Sequence, residues 1–114
     1  MIKKYSIHDV GGEVVKNNEV YLLKDNRDLN NLILSSTQLY PGKHTRGHRH
    51  AGQEEVYFFV AGQGEMIVGE DNDQSFPVVA GDVVLIPDGA FHRVINTGTS
   101  DLIFNCVFDG KRTH

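Results

Sequence analysis

The sequence predicts an all-β fold, a sandwich or barrel of short strands, and three observations point to it. Apolar runs of strand length, rich in Val, Ile, Leu, Phe and Tyr, recur along the 114 residues. Turn-forming residues separate them every eight to twelve positions or so, roughly the spacing of a sandwich or barrel. No window longer than about ten residues keeps apolar side chains at i, i+3, i+4 and i+7, so no long amphipathic helix is expected.

Each run has its own punctuation. Val20–Lys24 follows the turn signal Asn17-Asn18, and Leu32–Tyr40 lies between the polar stretch Asp25–Asp28 and Pro41-Gly42. Ala61–Gly64 breaks Glu55–Ala61 from Gly64–Val68, and Gly69–Gln74 precedes Phe76–Val79. Ala80–Asp82 opens Val83–Ile86, Pro87–Gly89 turns the chain toward His92–Asn96, and Asn96–Ser100 turns it toward Leu102–Phe108. Met1–Asn18 is mixed and polar, and Gly110–His114 is a charged tail, so both ends read as peripheral. No linker, low-complexity tract or strong repeat divides the chain, and residues 1–114 read as one domain.

Composition narrows the function classes. Eleven Lys+Arg against fifteen Asp+Glu give a formal net charge of −4. That balance argues against nucleic acid or an anionic membrane as the partner, since phosphate binding needs clustered positive charge. The longest apolar run, Val56 to Ala61, falls far short of the roughly 18–20 residues that span a bilayer. Ser6, His8 and Asp9 stand where a signal peptide needs an apolar centre. Cys106 is the lone cysteine and cannot form an internal disulfide, so a reducing, cytoplasmic location is expected. The six histidines stand out, at about twice a usual share.

Three of those histidines have a pattern. His48 and His50, two apart on a strand, project on one face with Cα atoms about 7 Å apart. Both imidazoles can then reach one ion at about 2.0–2.2 Å. Glu54 and Glu55 follow, and alternation sends them to opposite faces. Glu55 shares its face with Tyr57 and Phe59, and a carboxylate buried among aromatics is costly unless an ion or hydrogen bonds compensate it. His92 opens a strand in a different hairpin and supplies a fourth ligand from another direction. His8, His44 and His114 read as surface residues, with His44 near the pocket. Val83, Leu85, Phe58, Val60, Leu32 and Leu34 read as core or subunit-contact residues, and Asn96 as a backbone anchor before Thr97-Gly98.

The spacing Gly42-x5-His48-x-His50-x4-Glu55-x6-Gly62 resembles the first motif of the cupins, and Gly81-x5-Pro87-x-Gly89-x2-His92-x3-Asn96 resembles the second. The two blocks, within 42–62 and 81–96, match at every defined position. The resemblance implies a single-domain cupin: an antiparallel conical β-barrel (double-stranded β-helix or jelly roll), often a homodimer. It also implies a metal site of His48, His50, Glu55 and His92. Such a ligand set, with no thiolate, suits one divalent transition ion per chain: Fe, Mn, Co, Ni or Zn.

Thr45-Arg46-Gly47-His48, Glu55-Val56-Tyr57-Phe58 and His92 through Gly98 are similar to the cupin-type phosphoglucose isomerases of archaea. That resemblance implies Thr45 and Gly47 near a sugar phosphate and Tyr57 as an active-site tyrosine. Arg46 can attract an anionic phosphate or carboxylate at the mouth. The expected activity is metal-assisted isomerisation of a small sugar, sugar phosphate or sugar acid, with Glu55 or Tyr57 moving the proton. The alternatives are a small dioxygenase or oxidative decarboxylase on the same ligands, and a binding module without catalysis.

Overall fold

The computed structural model describes residues 1–69 and 74–111. Among these residues there are nine strands and no helix. They are β1 (Glu13–Asn17), β2 (Tyr21–Asn26), β3 (Leu32–Leu39), β4 (Glu55–Ala61), β5 (Gln63–Val68), β6 (Gln74–Val79), β7 (Val83–Ile86), β8 (His92–Asn96) and β9 (Leu102–Asp109). All named pairings are antiparallel, in a six-stranded sheet ordered β1-β2-β3-β9-β4-β7 and a three-stranded sheet ordered β6-β5-β8.

Alternation decides which side chains fill the space between the sheets. On β3, Ile33, Ser35, Thr37 and Leu39 are buried while their neighbours are not. On β4 the buried set is Glu55, Tyr57 and Phe59. Register joins these into rows across the large sheet: Leu23, Thr37, Phe104 and Phe59 form one, and Ser35, Cys106, Tyr57 and Val84 the next. Met66, Val78 and Val94 of the small sheet complete the core. Each such aliphatic or aromatic side chain contributes roughly 1.5–3 kcal/mol on full burial. One end of the interior is filled by these residues, and the other opens on a chamber lined by Glu55, Tyr57, Ser35 and Thr37 together with Phe104 and Phe108.

Turn chemistry holds the small sheet in place. Asn96, almost fully buried, donates from Nδ2 to the carbonyls of Leu39 and Ser100, each at 2.9 Å, and accepts from the Gly98 amide at 2.9 Å. The expected anchoring role is thus observed. Gly62 adopts φ +87°, and a Cβ there would lie 2.4 Å from the Asp101 carbonyl oxygen, so only glycine fits between β4 and β5.

Three expectations are corrected. β1 lies inside the stretch read as a polar, peripheral end; all five of its residues are exposed, so it carries no apolar alternation to detect. The histidine pair does not sit on a regular strand. Residues 40–54 touch the small sheet through isolated bridges only, His44 with Ile95 and His48 with His92. Gly47, at φ +85° and packed against the Phe91 ring, interrupts strand geometry just before His48. Finally, Phe58, Val83, Leu85 and Leu32 are exposed and outside the core, so of the two roles expected for them, core or subunit contact, only the first is overturned. The expected turn at Gly69–Gln74 and the tail ending in His114 lie partly outside the described residues.

Candidate metal centre

The site begins with a reciprocal backbone pair. His48 N–H donates to the His92 carbonyl and His92 N–H to the His48 carbonyl, both at 3.0 Å. Residues paired in this way put their side chains on the same face, and the two rings meet edge to face with centroids 4.6 Å apart. Thr45 extends the contact: its amide donates to the Val94 carbonyl and its Oγ accepts from the Val94 amide, each at 2.9 Å. The segment carrying the first two histidines is therefore stitched to β8, which carries the third.

Glu55 reaches the same point from the large sheet. Its carboxylate is buried, and Oε2 lies 3.2 Å from His92 Nε2. Single donor atoms of His48, Glu55 and His92 all fall within 4.8 Å of one another. Ligands on a first-row ion at about 2.0–2.2 Å lie at most about 4.4 Å apart, so small side-chain rotations let these three share one ion. Two imidazoles and a carboxylate in a buried pocket fit a divalent transition ion chemically. His50 is placed beside this group and outside its 4.8 Å limit, with its ring centroid 4.7 Å from that of His48.

Second contacts orient the ligands. His92 Nδ1 lies 2.9 Å from the Ala90 carbonyl. A carbonyl only accepts, so Nδ1 carries the proton and Nε2 presents its lone pair toward Glu55 and the cavity. Tyr57 donates its hydroxyl to that same Nε2 at 3.1 Å. Its ring stacks on Phe104 at 5.3 Å between centroids with planes 12° apart, which fixes the hydroxyl at the site. The Gly52 amide donates to Asp88 Oδ1 at 2.6 Å, clasping the His50 loop to the turn before His92.

These groups open on a cavity of about 550 Å³. Its lining includes Thr45, Arg46, Gly47, His48, His50, Glu55 and Tyr57, so every residue singled out from sequence except His92 borders it directly. His92 stands behind Glu55 and Tyr57, in contact with both. Glu54 and His44 are exposed, as alternation and surface placement led one to expect. Sequence reasoning missed Lys16, which lines the cavity from β1, and the Asp88 clasp, whose only signal was the Pro87-Asp88-Gly89 turn.

The model of the cupin domain family matches residues 36–108. The chain is a cupin. This cupin is 33% identical over 106 residues to the glucose-6-phosphate isomerase of Thermococcus onnurineus, across 84% of this chain and 56% of the isomerase. It therefore spans little more than half the length of that relative. It is 36% identical over 75 residues to an oxalate-binding protein of Thermotoga maritima, across 66% of this chain and 60% of that protein. A Klebsiella pneumoniae protein with a double-stranded β-helix domain superposes with a TM-score of 0.79 at 19% identity, over 96% of this chain and 90% of the other. That likeness speaks for the fold alone. No helix among the described residues is long and apolar enough to cross a membrane.

Proposed function

We propose that this cupin is a metal-dependent enzyme that isomerises a small sugar, sugar phosphate or sugar acid. One observation carries the reading: the His48–Glu55–His92 group, with Glu55 and His92 buried and His48 half-buried, adjoins a cavity whose only carboxylate, among the described lining residues, is Glu55. Similarity to a glucose-6-phosphate isomerase supports the substrate class. His48, Glu55 and His92 hold the ion, with His50 joining after a modest movement of its loop. A bound divalent ion supplies Lewis-acid polarisation of a substrate oxygen.

The chain's own residues do the rest. Glu55 keeps one carboxylate oxygen for the carbon acid, taking a proton from one carbon and returning it to its neighbour. Tyr57 holds the proton that passes between the two substrate oxygens. Its hydroxyl faces the site because the ring is pinned on Phe104. Thr45, Arg46 and Gly47 border the cavity and bind the remainder of the substrate. Phe104 and Phe108 line the same wall and keep bulk water from the reacting carbons.

A second reading, binding of a small carboxylate without isomerisation or its oxygen-dependent breakdown, is favoured by the similarity to an oxalate-binding protein. A metal-defined screen of aldose and ketose phosphates, run with and without O2, separates the two. Isomerisation that needs added metal and ignores O2 is the expected result. Turnover found only with O2, or none with any sugar phosphate, would support the second reading instead.

A further inference from the structure

The cavity wall holds a cation whose placement depends on a fault in strand pairing. Along β1, Glu13 pairs with Asp25 and Val14 with Lys24, but Lys16 pairs with Leu23, leaving Val15 as a bulge. Uninterrupted pairing would set Lys16 opposite Leu22, which borders a groove on the outer face of the sheet. The extra residue moves Lys16 to the face of Leu23, Thr37 and Phe104, all of which line the cavity. Bulges re-aim side chains in this way and are enriched beside active sites. β1 is a fully exposed edge strand, so no packing requirement explains the inward lysine.

Arg46 lines the same cavity from the segment before His48. Among the described residues, neither Lys16 nor Arg46 has an ion-pair partner. Among the described residues the lining thus carries two cations without an ion-pair partner and one carboxylate, Glu55, in a chain whose formal charge is −4. A divalent ion on the Glu55 group would make the balance more positive still. β1 lies four strand spacings from β4, about 19 Å along the curved sheet, so Lys16 enters the cavity from the sheet edge away from the strand that carries Glu55.

We propose that Lys16 and Arg46 form an anion subsite at the cavity rim, which selects substrates bearing an acidic group at the end away from Glu55. This deepens the proposed function and rests on it for the placement of the other end. A terminal phosphate and a terminal carboxylate share the required chemistry, a compact anion that two cations can hold together.

The test is calorimetric titration of the Mn(II)-loaded protein with D-gluconate, D-glucarate and 6-phospho-D-gluconate, at low and high salt. They share a sugar-acid end and differ in the second: an alcohol, a carboxylate or a phosphate. At least one of the two doubly acidic ligands should bind ten-fold or more tighter than gluconate, with the advantage shrinking in high salt. Which of them gains identifies the anion. Lys16→Gln should remove most of that advantage and leave gluconate affinity unchanged, while Lys16→Arg should keep it; Arg46→Gln should also remove most of the advantage. Lys16 is exposed on an edge strand, so its substitution leaves the core intact.

Equal affinity for all three ligands, or an advantage that survives both Gln variants, would overturn the proposal. A parallel titration of metal-free protein with 6-phospho-D-gluconate separates it from the metal reading. Binding there that still depends on Lys16 keeps the rim subsite even if the protein fails to take up Mn(II).

Discussion

At the scale of single residues, the site is governed by which atom of each side chain is already committed. His92 has spent Nδ1 on the Ala90 carbonyl, so Nε2 is the nitrogen it offers, and Tyr57 donates to it. An ion held by His92 would take the place of that hydrogen bond, and the Tyr57 hydroxyl would then turn to substrate. Tyr57→Phe should therefore leave metal content unchanged while lowering kcat about 100-fold, the usual scale for loss of a positioned proton donor. Steady-state kinetics alongside metal analysis checks this, and an undiminished kcat would remove Tyr57 from the chemistry. Glu55 was legible from sequence because alternation separates it from Glu54 and sets it among aromatics. His50 was less legible. The i, i+2 argument assumes a strand, and Gly47 at φ +85° ends strand geometry one residue before His48.

At the scale of elements, the eight strands expected from apolar runs are all present, with ends shifted by up to two residues. Each buries one face, and burial writes the alternation that sequence reading detects. β1 buries nothing, so its position is set by pairing with β2 across the Asn17-Asn18 turn, which composition does not encode. Lys16 escaped notice for the same reason. The segment before β1 is tied down by polar contacts. Tyr5 donates its hydroxyl to Asp28, and Lys3 lies 3.5 Å from the same carboxylate. The Tyr5 hydrogen bond is the main cause holding Asp28 below its ordinary value, aided by the Lys3 charge and opposed by desolvation. A depressed carboxylate contributes stability that is present above the unfolded-state value, about pH 4, and lost as pH falls through the folded value. In a carbon-detected titration, Asp28 of the unaltered protein should ionise below the ordinary range, and Tyr5→Phe should move it back up. Identical midpoints in the two proteins would contradict that attachment.

At the scale of the whole molecule, the two sheets present unlike surfaces. The inward faces make the core and the chamber, while the outer face of β4 and β7 leaves Phe58, Val83 and Leu85 at 40%, 56% and 72% exposure. Register sets Phe58 beside Val83 and Val56 beside Leu85, an apolar patch with no charge in its rows. In a two-fold dimer the same residues face each other, and an uncharged patch does so without like-charge repulsion. A second copy of the chain is the occupant we propose for it. Sizing at low micromolar concentration should give about twice 12.7 kDa, and Leu85→Asp should halve it. A 12.7 kDa species for the unaltered chain would exclude the dimer. The fold family and the clustering of His48, Glu55 and His92 were readable from ten spaced residues. The chamber's shape was not, because it depends on how a six-stranded and a three-stranded sheet close on each other.

The central claim is that strands from both sheets meet to hold one metal ion. Elemental analysis of protein purified without added metal tests it most directly, set beside a double variant, His48→Ala with His92→Ala. Close to one transition ion per chain is predicted for the unaltered protein, with near-complete loss in the variant and a β-type circular dichroism spectrum in both. Unchanged metal content in a folded double variant would contradict the account.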